Sequence, residues 1–412
     1  MKYGCIGEVL GHSFSKEIHA KIADYEYELC EVKRDDFDRF MKERSFSGIN
    51  VTIPYKSAVI PYLYEIDASA KSIGAVNTVL NKDGKLYGYN TDYYGMRFLI
   101  EHLGLKLIDR KVVILGTGGT SKTALAVATN IGASEVFRVS RDGKEGCITY
   151  AELYERHTDA DIIINTTPCG MYPHGDECPV DLSKFPRLWG VIDAIYNPLR
   201  TVIVTEALKR GLKAEGGLFM LVAQAVRAAE IFHDTYFSDE FTEEIYKKML
   251  TGKENIVLTG MPGSGKTTIG KILSEKLSRE FIDTDLLIEK ETGLTPSEIF
   301  AKYGEAEFRR VEAKIIKDIS PKTSAIIATG GGAILSGENV DALKQNGRIF
   351  FIDRPLCNLM PTDDRPLARD REAIEKRYNE RYEIYYGTCD VKIANETDAV
   401  AAANKIIEEF EK

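Results

Sequence analysis

Asn255-Ile-Val-Leu-Thr-Gly-Met-Pro-Gly-Ser-Gly-Lys-Thr-Thr268 decides the fold of the C-terminal part of this chain. A short apolar run leads into GxxxxGK[ST], from Gly260 to Thr267. A buried strand is therefore expected to enter a phosphate-binding loop and then a helix. The loop, Gly260 with Gly263, Ser264 and Gly265, and the helix start, Lys266, Thr267 and Thr268, would turn backbone amides toward a polyphosphate. Lys266 adds positive charge there, and Thr267 can ligate Mg²⁺. The motif begins past residue 250, behind a second glycine loop, Gly116-Thr-Gly-Gly-Thr-Ser121. One polypeptide is expected to carry two nucleotide-dependent sites.

Length and composition agree. A chain of 412 residues is too long for one typical domain, so two or three are expected, each with its own core. A net charge of −9 argues against nucleic acid as a main partner and says little about small anionic ligands. No apolar run approaches a membrane span, and Met1-Lys-Tyr-Gly-Cys-Ile-Gly-Glu reads as a first strand with no signal peptide. The 7 cysteines are scattered without a CxxC, which fits a reduced cytoplasm. The 6 histidines form no HxH or HExxH cluster, so no zinc site is expected.

Working outward from the loop, the fold class reads as α/β. Residues 2–7, 27–32 and 48–53 read as strands, with helical stretches over 15–24 and 35–44, which implies a mostly parallel sheet. The pattern restarts near residue 110 with Lys111-Val-Val-Ile-Leu115, the glycine loop and an alanine-rich helix. Glu135–Val139, Asp161–Asn165 and Gly190–Asp193 continue it, giving a Rossmann-like unit over 105–215. Gly217–Phe232 is a long apolar helical stretch expected to pack back on the first lobe. The expected division is 1–104 plus 216–236, a Rossmann-like domain over 105–215, a helical connector over 237–252 ending at Gly252, and a P-loop domain with a parallel sheet over 253–412.

The first glycine loop is only a partial dinucleotide fingerprint, strengthened by its strand–loop–helix setting. Gly116, Gly118, Gly119, Thr120 and Ser121 are its candidate cofactor contacts. The next strand ends in Ser140-Arg141-Asp142, with Lys144 close by. Arg141 suits a 2′-phosphate and favours NADP; Asp142 argues for NAD. Further motifs follow in order: Gly11-His-Ser-Phe-Ser15, Gly48-Ile-Asn-Val-Thr-Ile-Pro-Tyr-Lys56, Gly74-Ala-Val-Asn-Thr78, Gly88-Tyr-Asn-Thr-Asp92, Asp193-Ala-Ile-Tyr-Asn-Pro198 and Gly216-Gly-Leu-Phe-Met-Leu-Val-Ala-Gln224. Together they resemble the shikimate dehydrogenase family over nearly all of residues 1–235, which implies a two-lobed enzyme using NADP(H). By that resemblance Ser13 and Ser15 hold the substrate carboxylate. Thr52, Asn77, Asp92 and Gln224 meet its hydroxyls, Tyr196 lines the same site, and Gly217 lies by the cofactor. Lys56 with Asp92 is then the proton-transfer pair.

The chemistry is sound on its own terms. Ketone reduction needs a hydride on carbon and a proton on oxygen, and an ammonium beside a carboxylate can give that proton and take it back. Without the other motifs, Lys56 and Asp92 would read as a surface ion pair. His12 and His19 read as structural. Lys16 and Ala20 depart from the family beside the serine pair.

The acceptor for the second site must come from other residues. Phe281-Ile-Asp-Thr-Asp285 places two carboxylates on one face at a strand end, one for Mg²⁺ and one for a substrate hydroxyl. Glu307-Phe-Arg-Arg-Val-Glu312 puts Arg309 and Glu312 on one helix face, as a site pair or an ordinary surface pair. Thr329-Gly-Gly-Gly-Ala333 follows an apolar strand as a backbone cradle, and Arg365 and Arg381 add charge downstream. This combination resembles the shikimate kinase family across residues 255–412. It implies Asp283 and Thr267 near Mg²⁺, Asp285 on the attacking hydroxyl, and Arg309 and Arg381 on the carboxylate with Gly331 and Glu312 close by. Arg365 would reach the transferred phosphate from a lid. That lid, Leu359–Arg365, is short and acidic and lacks an arginine the family often places against adenine.

The two resemblances are to successive steps of aromatic amino-acid biosynthesis. The expectation is a bifunctional enzyme: 3-dehydroshikimate and NADPH to shikimate, then shikimate and ATP to shikimate 3-phosphate. Its partners are small molecules. The alternatives are a quinate dehydrogenase using NAD, or one half serving as a non-catalytic sensor of shikimate-like ligands.

Overall fold

The computed structural model describes residues 1–11, 14–144, 146–359, 371–396 and 398–412. The chain divides into two compact units, Met1–Met249 and Leu250–Lys412.

The first unit holds two sheets. One contains β1 (Tyr3–Gly7), β2 (Tyr27–Glu31), β3 (Gly48–Val51), β4 (Glu65–Ile66), β5 (Thr78–Lys82) and β6 (Lys85–Tyr89), in the order β2-β1-β3-β5-β6-β4. β2 and β3 flank β1 in parallel, reached through the helices Ser15–Ile22 and Arg34–Glu43. The sheet is nevertheless mixed, because β5 pairs antiparallel with both β3 and β6. Asp83 (φ 51°) and Gly84 (φ 78°) turn the β5–β6 hairpin, the two successive left-handed residues that match strand twist in a two-residue loop.

The second sheet contains β7 (Lys111–Leu115), β8 (Glu135–Ser140), β9 (Ile148–Thr149), β10 (Ile162–Asn165), β11 (Gly190–Asp193) and β12 (Lys213–Glu215). All its pairings are parallel, in the order β12-β11-β10-β7-β8-β9. Counted within this sheet, that is the doubly wound Rossmann order, whose switch point beside the first strand opens a crevice at the strand C-termini. Val112–Leu115 and Ile162–Ile164 are fully buried, as expected of strands covered on both faces. The helix Leu218–His233 lies along the helix Thr91–His102, with Phe219, Met220 and Ala223 packed among Met96, Phe98 and Leu99. Phe232, near its end, packs with Cys5, Tyr27 and Leu80 of the first sheet.

The stretch expected to be a connector ending at Gly252 is a continuous helix, Asp239–Lys253, running through Gly252. It buries Thr242, Ile245 and Met249. Tyr246 sits edge-on to Phe219 at 5.1 Å, and Glu243 contacts His102. An amphipathic face with its own partners, not a linker composition, defines this segment.

The second unit is built on β13 (Asn255–Thr259), β14 (Glu280–Asp283), β15 (Ala325–Ala328), β16 (Gly347–Asp353) and β17 (Val391–Ala394). They form a parallel sheet in the order β14-β15-β13-β16-β17. One core, with Val257, Ile327, Phe351 and Tyr385, covers one face; another, with Leu258, Leu273, Ile326 and Ile406, covers the other. β13 is the central strand, so the nucleotide loop springs from the middle of the sheet's C-terminal edge.

Candidate active sites

A cavity of about 330 Å³ in the first unit is lined by Ser15, Thr52, Lys56, Asn77, Asp92, Tyr196 and Gln224, with Cys5, Val51 and Leu221 among its apolar walls. Six separate motifs thus meet in one place. Lys56 Nζ donates to Asp92 Oδ2 at 2.6 Å, and the two side chains are 25% and 15% exposed. Neither is a freely solvated surface group. Asp92 sits in the first turn of the helix Thr91–His102, where Asn90 caps the end by accepting from Tyr93 N at 3.1 Å.

A buried polar lattice fixes the walls. Asn77 Oδ1 accepts from Thr91 N at 2.7 Å, and Asn77 Nδ2 donates to Thr91 Oγ1 at 3.1 Å. Thr91 Oγ1 lies 3.4 Å from Gln224 Oε1, whose amide nitrogen donates to Leu221 O at 2.8 Å. Asn50, not singled out by sequence, accepts from Tyr27 OH at 2.6 Å and donates to Thr78 Oγ1 at 3.0 Å. His19 is fully buried and stacked on Tyr27 at 3.8 Å; burial holds its pKa down near 3. It is a neutral packing group away from the cavity lining. Ser13 lies outside the described residues.

Tyr196 reaches the cavity through a support that sequence reading missed. Asp193, fully buried at the end of β11, accepts from Asn165 Nδ2 at 3.1 Å, Ile195 N at 2.9 Å and Thr201 Oγ1 at 2.6 Å. This clamps the turn bearing Tyr196. Burial raises the Asp193 pKa to about 6 against those hydrogen bonds.

The glycine loop follows β7. Gly116 adopts φ 112°, and Ser121 Oγ returns to Gly116 O at 2.6 Å. The helix Gly119–Ile131 then starts with Gly118 as N-cap, and a Cβ built on Gly118 or Gly119 would meet nothing within 4 Å. Open space over a helix N-terminus fits the diphosphate of a dinucleotide. Arg141 is exposed just past β8, and Asp142 is held by Lys144 Nζ at 3.1 Å and Ser140 Oγ at 3.2 Å. Gly217 has a packing reason of its own: a Cβ there would lie 2.2 Å from Ala194 O.

In the second unit a cavity of about 370 Å³ is lined by the nucleotide loop, Asp283, Asp285, Arg309, Glu312, Gly330–Gly332 and Arg381. Gly265 has φ 97° and caps the helix Lys266–Leu277. Lys266 Nζ donates to Gly260 O at 2.9 Å and Met261 O at 3.0 Å, arching back over its own loop. Ser264 is fully buried, and its amide donates to Met261 O at 3.0 Å, so it shapes the loop from inside. Asn395, absent from the sequence reading, donates to Ser264 O at 2.7 Å and anchors the loop from the far side.

The two carboxylates come together by a different route from the one expected. β14 ends at Asp283, which caps the helix Thr284–Thr292 by accepting from Asp285 N at 3.0 Å. Asp285 therefore stands in a helix's first turn, not two along on a strand face. Thr267 Oγ1 lies 2.9 Å from Asp283 Oδ2, a hydroxyl and a carboxylate that suit a largely hydrated Mg²⁺. Arg309 Nη1 donates to Glu312 Oε2 at 2.7 Å, with Glu312 1% exposed. Burial raises the Glu312 pKa, with Arg309 opposing. The glycine triplet is needed for close approach. A Cβ on Gly330 would lie 2.8 Å from both Asp285 Oδ1 and Glu312 Oε1, and one on Gly332 would lie 2.2 Å from the Arg309 guanidinium. Arg381 Nη1 donates to Gly331 O at 3.0 Å. Arg354 and Arg377 also line this cavity and were not anticipated. Arg365 lies outside the described residues.

Among the described residues no group of three or more His, Cys, Asp or Glu side chains could hold a metal, and no helix is long and apolar enough to cross a membrane.

Comparison with known proteins covers both units. A family model for the shikimate dehydrogenase substrate binding domain matches residues 5–79, and one for shikimate kinase matches residues 262–411. The shikimate dehydrogenase (NADP(+)) of Clostridium perfringens (strain SM101 / Type A) is 39% identical over 265 residues, covering 60% of this chain and 97% of that protein. A chorismate mutase/shikimate 5-dehydrogenase fusion protein from Clostridium acetobutylicum is 36% identical with TM-score 0.57, over 60% of this chain and 96% of that one. The shikimate 5-dehydrogenase of Thermus thermophilus, solved with NADP(H) and shikimate, is 28% identical with TM-score 0.54, over 60% of this chain and 99% of that one. The chain belongs to the shikimate dehydrogenase family, the NADP-dependent enzymes, and carries a shikimate kinase domain behind it on the same polypeptide.

Proposed function

We propose that this chain reduces 3-dehydroshikimate to shikimate in its first unit and phosphorylates shikimate in its second. The observation that carries the reading is the 2.6 Å Lys56–Asp92 pair inside a polar cavity, on the same chain as a nucleotide loop facing Asp285. Ser13, Ser15 and Tyr196 position the substrate, and Thr52, Asn77, Asp92 and Gln224 take its hydroxyls. NADPH, held over Gly116–Ser121 with Arg141 at its 2′-phosphate, supplies the hydride. Lys56 gives the carbonyl oxygen its proton and recovers it with help from Asp92, which keeps the ammonium in place.

In the second unit the loop amides and Lys266 hold the ATP phosphates, with Thr267 and Asp283 for the accompanying Mg²⁺. Asp285 receives the proton of the attacking hydroxyl. Its close approach to Gly330, beside the glycine cradle, supports this role. Arg309 and Arg381 take the substrate carboxylate, Glu312 holding Arg309 in register. We place Arg365 on the transferred phosphate. The proposed division is a substrate lobe of 1–104 with 216–236, a cofactor domain of 105–215, a connecting segment of 237–252 and a kinase domain of 253–412, in a cytoplasmic protein.

The test is one assay on purified protein with 3-dehydroshikimate, NADPH and ATP, following NADPH loss and ADP formation. ADP release that depends on prior NADPH consumption supports the reading. Activity with quinate and NAD in place of that pair, or binding without turnover in either unit, would refute it.

A further inference from the structure

Arg377 lines the second cavity on the helix Arg371–Thr388, one turn before Arg381. Its Nη1 is fully buried and has no hydrogen-bond partner among the described residues. The other guanidiniums nearby are engaged. Arg309 holds Glu312 at 2.7 Å and Glu305 at 3.2 Å, and Arg381 donates to Gly331 O at 3.0 Å. Arg381 and Arg309 are close enough to Arg377 to depress its pKa, behind the larger effect of burial; Glu380 and Glu305 oppose them. A guanidinium nitrogen buried without an acceptor, and pressed by two like charges, is costly unless an anion completes it.

The cavity tells which anion. Lys266, Thr267 and the loop glycines line the cavity for phosphate, while Arg381 meets Gly331, Arg309 packs against Gly332, and Arg377 is close enough to both arginines to feel their charge. Phe300 and Phe308 line the same cavity and lower the local polarity, which strengthens a charged contact. A planar carboxylate accepts from two guanidinium forks at once. We infer that Arg377 is a third guanidinium for the carboxylate of the phosphoryl acceptor, setting the specificity of this site for an acid over its neutral analogues. The inference rests on the shikimate kinase reading of the cavity.

The experiment is steady-state kinase kinetics on the full chain without NADP, with shikimate and with its methyl ester, for wild type, R377L and R377K. R377L is expected to raise the KM for shikimate about ten- to a hundredfold, with kcat and the KM for ATP nearly unchanged, the loss expected for one charge-assisted hydrogen bond. Its preference for acid over ester should shrink by a similar factor. R377K, which keeps the charge and loses the fork, should fall between them, and it decides the matter if R377L does not fold. An unchanged KM in both variants, an equal loss for acid and ester, or a rise in the KM for ATP instead would overturn the role given to Arg377 while leaving the kinase reading standing. A wild type that phosphorylates neither compound removes the kinase reading and this inference with it.

Discussion

Lys56 Nζ and Asp92 Oδ2 lie 2.6 Å apart, joining the turn after β3 to the first turn of the helix Thr91–His102. The pair bridges two elements and faces the cavity. Lys56→Ala should therefore lower ketone reduction by on the order of 10²–10⁴, the usual worth of positioned acid–base help. Shikimate phosphorylation on the same preparation should be unchanged. Equal damage to both activities would mean that the substitution unfolds the chain.

Cofactor preference turns on the end of β8. Asp142 is already engaged by Lys144 and Ser140, and Arg141 is exposed beside it. The first unit should prefer NADPH over NADH, and Arg141→Leu should erase about ten- to a hundredfold of that preference, the worth of one charge-assisted contact to phosphate. Comparing kcat/KM with both cofactors checks it. Indifference of the wild type to the 2′-phosphate would return the NAD-dependent alternative.

His102 ties the helix Asp239–Lys253 down. Its Nδ1 lies 2.7 Å from Glu243 Oε1 and its Nε2 3.3 Å from Glu215 Oε2. Burial alone would lower its pKa, but the two carboxylates outweigh that and push it up to about 9. Because the folded value is raised, the stabilisation is complete below the unfolded value of about 6.5 and fades as pH climbs through 9. The wild type should lose roughly 1–3 kcal/mol relative to His102→Asn between pH 6 and 9.5. Thermal melts of both proteins across that range measure it. Parallel curves would show that the two carboxylates do not hold the charged imidazole.

What could be read from sequence was whatever a local pattern encodes. β7, β10 and β13 are apolar runs because both faces are covered, and the glycine loops follow β7 and β13 directly. The β5–β6 hairpin escaped although Asp83-Gly84 signals it, since strand and helix alternation dominates that region. The spacing of Asp283 and Asp285 points to one strand face, yet Asp283 caps a helix and ends the strand itself, so the two carboxylates meet through a helix start. Asn395 and Arg377 carry no local signal at all. One reaches the nucleotide loop across 131 residues, and the other becomes a site residue only when its helix folds over the glycine triplet.

The kinase unit should fold and act alone, with its start moved to Leu250. Arg279 Nη2 donates to Thr251 O, and Ser324 Oγ donates to Gly252 O, so a fragment starting at residue 253 loses anchoring contacts. Residues 250–412 contain the nucleotide loop, Asp283, Asp285, Arg309, Glu312, the glycine triplet and Arg381, and their two cores lie on either side of one sheet. The fragment should phosphorylate shikimate with MgATP at nearly the full-chain rate. Within it, Asp285→Asn should remove turnover by on the order of 10²–10⁴ while leaving ATP binding intact, because Asp285 faces the cradle at Gly330. Arg309→Ala should chiefly raise the KM for shikimate, since its proposed partner is a ground-state carboxylate. Stopped-flow turnover and nucleotide titration separate these effects. If the folded fragment binds ATP but phosphorylates only when the first unit is added back, a catalytic group is being supplied from outside it, and the proposed independence of the kinase domain is wrong.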